Sequence, residues 1–328
     1  MTSEADTILV TGAAGQIGSE LVPALRNIFG PGKVIASDII QPEKQLTETG
    51  PFEKLDVTNR QALGQVISKY HIKVIYHLAA ILSANGEKNP QKAWDVNING
   101  FYNVLEASRE LGVKQIFCPS SIAVFGPLTP RIKTPQDTIL SPTTMYGVTK
   151  VAGENLGDYY VRKYGLDVRG CRFPGIISHE ALPGGGTTDY AVAIFYEAVI
   201  YNKYTCFLKP ETRLPMMYMP DCLKSIITLM EADFARLQHH SNFNVTAMSF
   251  SAEELAAEIK KHLPEFEIKY EPDFRQTIAD SWPESIDDSA ARKEWGWQPD
   301  YDLGRMTEDM LRILKERHRL GKLNYDKK

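Results

Sequence analysis

A strand that runs into a glycine-punctuated turn and then a helix constrains this chain more than any other stretch. Thr7-Ile-Leu-Val-Thr11 reads as a buried strand and Gly12-Ala-Ala-Gly15-Gln-Ile-Gly18 as the turn, while Ile17, Leu21, Leu25 and Ile28 recur at helical spacing. The glycines allow a tight turn and close backbone approach. The N-terminus of the following helix adds unpaired N–H groups and the positive end of its dipole, which together cradle a pyrophosphate. A second strand, Lys33-Val-Ile-Ala-Ser37, ends in Asp38, the position whose carboxylate accepts the ribose hydroxyls of NAD and repels the 2′-phosphate of NADP. NAD is therefore the expected cofactor, with Gly12, Gly15, Gln16, Ile17, Gly18, Asp38 and Ile39 on its site.

The alternation continues. A third strand is expected to end at Leu55-Asp56-Val57, where Asp56 reaches the adenine amino group. A helix over Arg60 to Tyr70 leads into a strand Val74-Ile-Tyr-His-Leu78-Ala79-Ala80, whose small alanines let backbone lie against a cofactor. A helix from about Pro90 to Leu111 carries Asn97, an amide unfavourable inside a helix, which reads equally as a satisfied structural group or as part of a proton relay. The strand Gln115 to Pro119 closes in Ser120-Ser121, a loop rich in Pro and Thr spans Pro127 to Thr143, and a further helix leads to the strand Leu166 to Arg172. Strands and helices alternating at this length imply a doubly wound parallel α/β sheet of Rossmann type, whose ligands sit beyond the C-terminal strand ends.

That further helix opens with Thr144-Met-Tyr146-Gly-Val-Thr-Lys150. A Tyr and a Lys four apart share a helix face, which suits a base and its electrostatic tuner. The same helix holds a second match, Tyr159-Tyr-Val-Arg-Lys163. Thirteen residues separate the two tyrosines, roughly 220° of rotation and about 20 Å along the axis, so one site cannot use both. Tyr146 follows directly on the crevice-side loop, and Tyr159 is expected to serve packing or an interface.

Beyond Arg172 the pattern loosens into mixed α/β. Leu182-Pro-Gly-Gly-Gly-Thr-Thr-Asp189 is a loop of glycines and hydroxyls suited to donating hydrogen bonds to a small anion such as a carboxylate. Residues 1–175, joined by part of 202–246, are expected to form the dinucleotide-binding domain, and 176–201 with 247–328 a smaller substrate-binding cap.

A net charge of -4 and no Lys/Arg block argue against nucleic acid as a partner. The basic run from Arg312 to Lys322 reads as the solvated face of a helix. The four cysteines are widely separated and read as reduced thiols, and no Cys-x-x-Cys or His-Glu-x-x-His spacing suggests a metal. No apolar run reaches the length of a membrane span, and a first strand near Thr7 leaves no room for a targeting peptide. A soluble intracellular protein, of cytoplasm or mitochondrial matrix, is the expectation.

The set Gly12-x-x-Gly15-x-x-Gly18, Asp38, Asp56, Ser121 and Tyr146-x-x-x-Lys150 resembles the extended short-chain dehydrogenase/reductase superfamily over essentially the whole chain. The tail Ile286 to Pro299 is similar to that superfamily's C-terminal signature. Within it, Pro183 to Ala191, Leu214 to Asp221 and Ser281 to Asp288 resemble the short-chain type of L-threonine 3-dehydrogenase. The resemblance implies NAD-dependent, zinc-independent oxidation of L-threonine to 2-amino-3-ketobutyrate, with Tyr146 as base, Lys150 as tuner and Ser121 holding the reacting oxygen. Leu78, Ala79, Ala80, Asn97, Ile176 and Val57 would complete the cofactor site. Ser83, Thr187 and Thr188 are nominated for the substrate carboxylate, Asp189 for its amine and Trp282 for its methyl group. A homodimer through residues 90–111 and 146–163 is implied as well. The alternative within the superfamily is a nucleotide-sugar epimerase or dehydratase. Such enzymes usually carry an Asn where this chain has Gly175, and an Arg-Asp-Tyr-Ile-His-Val stretch where it has Leu214 to Met219. A non-catalytic dinucleotide-binding protein is the third reading, against which an intact Ser121, Tyr146 and Lys150 set argues.

Overall fold

The computed structural model describes residues 6–41, 44–184, 186–323 and 325. The first half alternates β1 (Thr7–Thr11), α1 (Gln16–Phe29), β2 (Val34–Asp38), α2 (Lys44–Glu48), β3 (Phe52–Lys54), α3 (Arg60–Tyr70) and β4 (Ile72–His77). There follow α4 (Ser83–Lys88), α5 (Pro90–Trp94), α6 (Gly100–Leu111), β5 (Gln115–Phe117), β6 (Ser120–Ser121), α7 (Met145–Tyr164) and β7 (Asp167–Arg169). Among the described residues, six strands form one sheet in the order β3-β2-β1-β4-β5-β7, every neighbouring pair parallel. This is the Rossmann-type α/β sheet expected from the alternation. Chain direction across the sheet reverses between β1 and β4, and the crevice above such a reversal is where open parallel sheets bind ligands.

Burial explains the apolar runs. Ile8 and Val10 of β1 join one core with Leu21, Val22 and Leu25 of α1, while Leu9 joins another with Leu63 of α3 and Leu105 of α6. A strand covered on both faces needs an apolar residue at every position, not at alternate ones.

The second half holds β8 (Cys171–Phe173), β9 (Gly175–Ile177), α8 (Tyr190–Tyr201), β10 (Lys203–Cys206), β11 (Arg213–Tyr218) and α9 (Met219–Glu231). It ends with β12 (Phe243–Asn244), β13 (Met248–Ser251), α10 (Ala252–His262), β14 (Glu267–Tyr270), α11 (Arg275–Asp280), α12 (Ser289–Trp295) and α13 (Leu303–Arg319). Three small sheets, β13-β11-β9, β12-β8-β6 and β10-β14, link these elements. Helix α8 is buried continuously from Tyr190 to Ala198 and shares a third core with Leu255 of α10 and Met310 of α13.

Three expected elements differ. Leu166 to Arg172 is not one strand. It breaks at Gly170, where a Cβ would lie 2.3 Å from the Cys118 carbonyl oxygen, and the Gly170 N–H turns aside to His240 O at 2.9 Å. Strand β7 therefore stays in the main sheet, while β8 leaves it to pair with β6 and β12. The third strand ends at Lys54 rather than Val57, because Asp56 folds into a turn in which its Oδ1 accepts from the Thr58 N–H and hydroxyl. Strand β4 ends at His77, so Ala79 and Ala80 lie in the loop beyond it.

Candidate active site

The reversal between β1 and β4 leaves no space for side chains. Gly12 adopts φ +69°, and a Cβ there would lie 2.5 Å from the backbone nitrogen of Ala79. On Gly18 a Cβ would lie 2.3 Å from the Gly12 carbonyl oxygen, and on Gly15 3.2 Å from it. No side chain caps α1 at Gly15, so the N–H groups of its first turn are open to an anion. Asp38 is fixed beside this turn, its Oδ2 accepting from the Ala14 N–H at 3.0 Å and its Oδ1 from the Ile40 N–H at 3.2 Å. Ile39 is exposed at the rim. Val57 is buried where Gly100 admits it, since a Cβ on Gly100 would lie 2.8 Å from Val57 Cγ2. Leu78 donates its N–H to Thr11 O at 3.0 Å, and Gln16 Nε2 reaches Ile176 O at 3.3 Å, joining α1 to β9. Bare backbone, open N–H groups and a carboxylate at the end of β2 fit a dinucleotide laid across the crevice.

Asn97 sits in a π-helical turn, Asp95–Asn99, between α5 and α6. Such turns recur at functional sites. Its Oδ1 accepts from the Ile81 N–H at 2.7 Å, and its Nδ2 donates to Ile81 O at 3.0 Å and to Thr149 Oγ1 at 3.1 Å. The amide is thus satisfied, and it ties the loop after β4 to α7.

Helix α7 begins under tight control. Thr144 Oγ1 accepts from the Gly147 N–H at 3.1 Å, and a Cβ on Gly147 would lie 2.1 Å from Ala123 O. The first turn is therefore pressed onto the segment that follows β6. Tyr146 is half-buried against the C-terminal core. Lys150 Nζ lies 5.4 Å from the centre of the Tyr146 ring and donates to Pro119 O at 2.7 Å. Ser121 Oγ accepts from the Ala123 N–H at 3.2 Å. Ser83 opens α4, which packs on the same first turn, the Met145 N–H donating to Glu87 Oε1 at 2.6 Å. The elements that carry Ser121 and Ser83 thus pack on the helix that carries Tyr146 and Lys150.

Thr187 is buried, and Thr188 sits over Gly175, whose Cβ would lie 2.8 Å from Thr188 Cβ and 2.4 Å from Met216 S. Asp189 folds back on its loop, Oδ2 accepting from the Gly186 N–H at 2.8 Å. Gly185 of that loop lies outside the described residues. Trp282 is buried in the core against which Tyr146 packs. Asp38, Ile39 and Asp56 stand apart at the ends of β2 and β3.

Sequence reasoning missed a buried network behind Lys150. Glu154 Oε1 accepts from Ser120 Oγ at 2.5 Å and from Arg172 Nε at 2.9 Å, and Glu154 Oε2 accepts from Arg172 at 2.8 Å. Arg172 also donates to Gln136 O at 2.8 Å and to Asn244 Oδ1 at 3.2 Å. The only sequence signal was a glutamate four residues past Lys150, on the same helix face. Burial, and then the Lys150 charge, push His77 down to about 3 and leave it neutral. Burial raises the Cys118 thiol to about 11. Among the described residues no group of three or more His, Cys, Asp or Glu is arranged to hold a metal ion, and no helix is long and apolar enough to cross a membrane.

With a dinucleotide crevice beside a Tyr/Lys pair, the site belongs to an NAD-dependent oxidoreductase. Residues 8–246 match the NAD dependent epimerase/dehydratase family, and the chain belongs to that family. An uncharacterized epimerase/dehydratase of Staphylococcus haemolyticus is 52% identical over 314 residues, 95% of this chain and 98% of that protein. The solved L-threonine dehydrogenase of Clostridium difficile is 52% identical with a TM-score of 0.93, covering 95% of this chain and 98% of that one. A monomeric L-threonine 3-dehydrogenase of metagenomic origin is 51% identical with a TM-score of 0.91, covering 94% and 99%. The structural neighbours at this identity are L-threonine 3-dehydrogenases of the extended short-chain dehydrogenase/reductase type, as the resemblance implied, and the cofactor is NAD.

Proposed function

We propose that this protein oxidises L-threonine at C3 to 2-amino-3-ketobutyrate, with Tyr146 as the base. The observation that carries this reading is the 52% identity over 95% of the chain to a solved L-threonine dehydrogenase. NAD, when bound, supplies the hydride acceptor. Gly12, Gly15, Gln16, Ile17 and Gly18 hold its pyrophosphate, and Asp38 and Ile39 its adenosine ribose. Asp56 and Val57 flank the adenine, and Leu78, Ala79, Ala80, Asn97 and Ile176 line the nicotinamide side. Residues 1–175 with part of 202–246 form the cofactor lobe in this reading, and 176–201 with 247–328 the substrate lobe.

The proton of the substrate hydroxyl passes to the phenolate oxygen of Tyr146. Lys150, anchored by Pro119 O, brings its positive charge beside the Tyr146 ring and would hold the nicotinamide ribose. Ser121, its oxygen already accepting from the Ala123 N–H, donates its hydroxyl hydrogen to the reacting oxygen. Ser83, Thr187 and Thr188 offer hydroxyls to the carboxylate, and Asp189 is the acceptor nominated for the ammonium. Contact between Trp282 and the substrate methyl contributes about 1–3 kcal/mol, so discrimination against serine is modest.

The test is NADH formation with L-threonine, run beside product analysis of UDP-sugars, whose epimerisation or dehydration returns the hydride and leaves no net NADH. Turnover of threonine alone supports the reading, and turnover of a UDP-sugar alone replaces it with an epimerase or dehydratase. Thr187→Ala raises the threonine KM roughly tenfold or more if its hydrogen bond to the charged carboxylate is lost; an unchanged KM moves the carboxylate site elsewhere. We also propose a homodimer through residues 90–111 and 146–163, a claim that gel filtration at monomer mass removes.

A further inference from the structure

Helix α7 carries Tyr146, Lys150 and Glu154 at successive four-residue steps, so all three share a face. The strip from Cys118 to Ser121 runs along that face, Pro119 O taking Lys150 and the Ser120 hydroxyl donating to Glu154. A cavity of about 20 Å³ touches both charged side chains together with His77, Asn97 and Cys118. Arg172, from β8, forks onto both oxygens of Glu154, and the two side chains are only 3% and 4% exposed.

Every element facing this pair can be assigned a charge. His77 from β4 is neutral, held so by burial and by Lys150. Cys118, after β5, is a neutral thiol on which the charges of Lys150 and Glu154 act in opposite directions. Asn97 from the π turn, Ser120 from β6 and Asn244 from β12 carry no charge. Two further carboxylates lie close by, Asp158, one turn past Glu154 on α7, accepting from the Ser241 N–H at 3.3 Å, and Glu87 accepting from the Met145 N–H beside Tyr146; both stay in place in every variant below. Within the set of Lys150, Glu154 and Arg172, the charges of Glu154 and Arg172 cancel, and the remaining positive charge sits at Lys150.

We propose that Glu154 and Arg172 are positioning residues whose mutual neutralisation reserves the Lys150 charge for Tyr146. The proposal rests on Tyr146 and Lys150 being the base and its tuner. With Arg172 gone, an unpaired carboxylate one turn behind Lys150 competes for its charge. With Glu154 gone, a second buried cation adds to it. A buried ion pair that served only as a staple has no such sign, because an apolar pair of similar volume holds elements together equally well.

The two variants Glu154→Gln and Arg172→Gln should therefore shift the ionisation of Tyr146 in opposite directions. Full-length, NAD-bound protein labelled with ¹³C at the tyrosine ring carbons is titrated by NMR, the Tyr146 signal being the one that Tyr146→Phe removes. Two helical turns separate Glu154 from Tyr146, about 12 Å, at which a unit charge in an effective dielectric of about 20 moves the midpoint by about one pH unit. Glu154→Gln moves it to lower pH and Arg172→Gln to higher. The double variant returns to within a few tenths of the wild type, and Glu154→Asp and Arg172→Lys leave it in place. The pH midpoint of kcat on threonine follows the same pattern.

Two single variants that move the midpoint the same way, or that leave it unmoved, overturn the proposal. If Arg172→Gln does not fold, the contrast between Glu154→Gln and Glu154→Asp decides it alone. Absence of threonine turnover by the wild type overturns the functional reading instead, and the titration still judges the pair.

Discussion

Helix α7 carries Tyr-x-x-x-Lys twice, and its two ends lie in different surroundings. At the first end, Thr144 caps the helix, Ala123 O abuts Gly147, and Pro119 O holds Lys150 beside the ring of Tyr146. At the other end, Tyr159 is 47% exposed and packs edge-on against Tyr160 and Tyr164. The first end follows the loop beyond β6, on the crevice edge of the sheet. The second runs through Gly165 into the start of β7, the opposite edge. The motif is the same in both places. The edge of the parallel sheet it meets decides whether it has a cofactor crevice to work on.

The sharpest way to break this comparison is Tyr146→Phe against Tyr159→Phe. Removing a general base costs about 10²–10⁴ in rate, so Tyr146→Phe should lose about a thousandfold in kcat on threonine while NAD affinity, read by fluorescence titration, stays within a few-fold. Tyr159→Phe, at an exposed site, should keep its activity and change stability by less than about 0.5 kcal/mol. Equal losses in the two variants would mean that the ends are not functionally distinct.

A smaller effect separates two glycines. A Cβ on Gly147 would lie 2.1 Å from Ala123 O and 2.7 Å from Pro142 Cβ, and one on Gly157 2.2 Å from Ser241 Oγ and 2.9 Å from Ser241 Cβ. Both substitutions overpack, at about 1–3 kcal/mol each. At Gly147 the strain shifts Tyr146 against Ser121, so Gly147→Ala should lose roughly tenfold to a hundredfold in kcat. Gly157→Ala should lose thermal stability with kcat within about twofold, because overpacking there meets Ser241 and not the reacting groups. A matching kcat loss at Gly157 would dissolve the distinction.

The half of the site that sequence made legible is the half built from local signals. Gly12, Gly18 and Asp38 could be read in place because the strand, turn and helix that position them are contiguous, and the structure packs Gly12 against Ala79 and fixes Asp38 against Ala14. Gly170 was different. Its break in the strand comes from Cys118 O and His240 O, neither adjacent in sequence, so Leu166 to Arg172 looked like one strand. That misreading hid Arg172, which reaches Glu154 only because β8 leaves the main sheet. Asn97 lay between these cases. Its poor fit to a helix was visible, but not the π turn and the Ile81 contacts that satisfy it.

The smallest effect lies at the far end of α7 and in acid. Glu106 on α6 accepts from Arg109 at 3.0 Å and from the Tyr160 hydroxyl at 2.6 Å, and these bonds, that of Arg109 first, hold its carboxyl down at about 2. A carboxylate depressed in the folded state stabilises fully above the ordinary Glu range, and that stability is lost as pH falls toward the folded value. Tyr160→Phe removes one donor and lets the Glu106 carboxyl rise toward its ordinary range, so the loss begins at higher pH. The acid-unfolding midpoint, followed by far-UV circular dichroism, should move up by a few tenths of a pH unit. At neutral pH the same variant should cost about 0.5–1.5 kcal/mol, one hydrogen bond, in a urea melt. Its kcat on threonine should match the wild type, because Tyr160, with Glu106 of α6 bonded to it, lies at the end of α7 that faces away from the crevice. A fall in kcat without the acid shift would instead couple that end to the chemistry, and the two ends of the helix would have to be treated as one site.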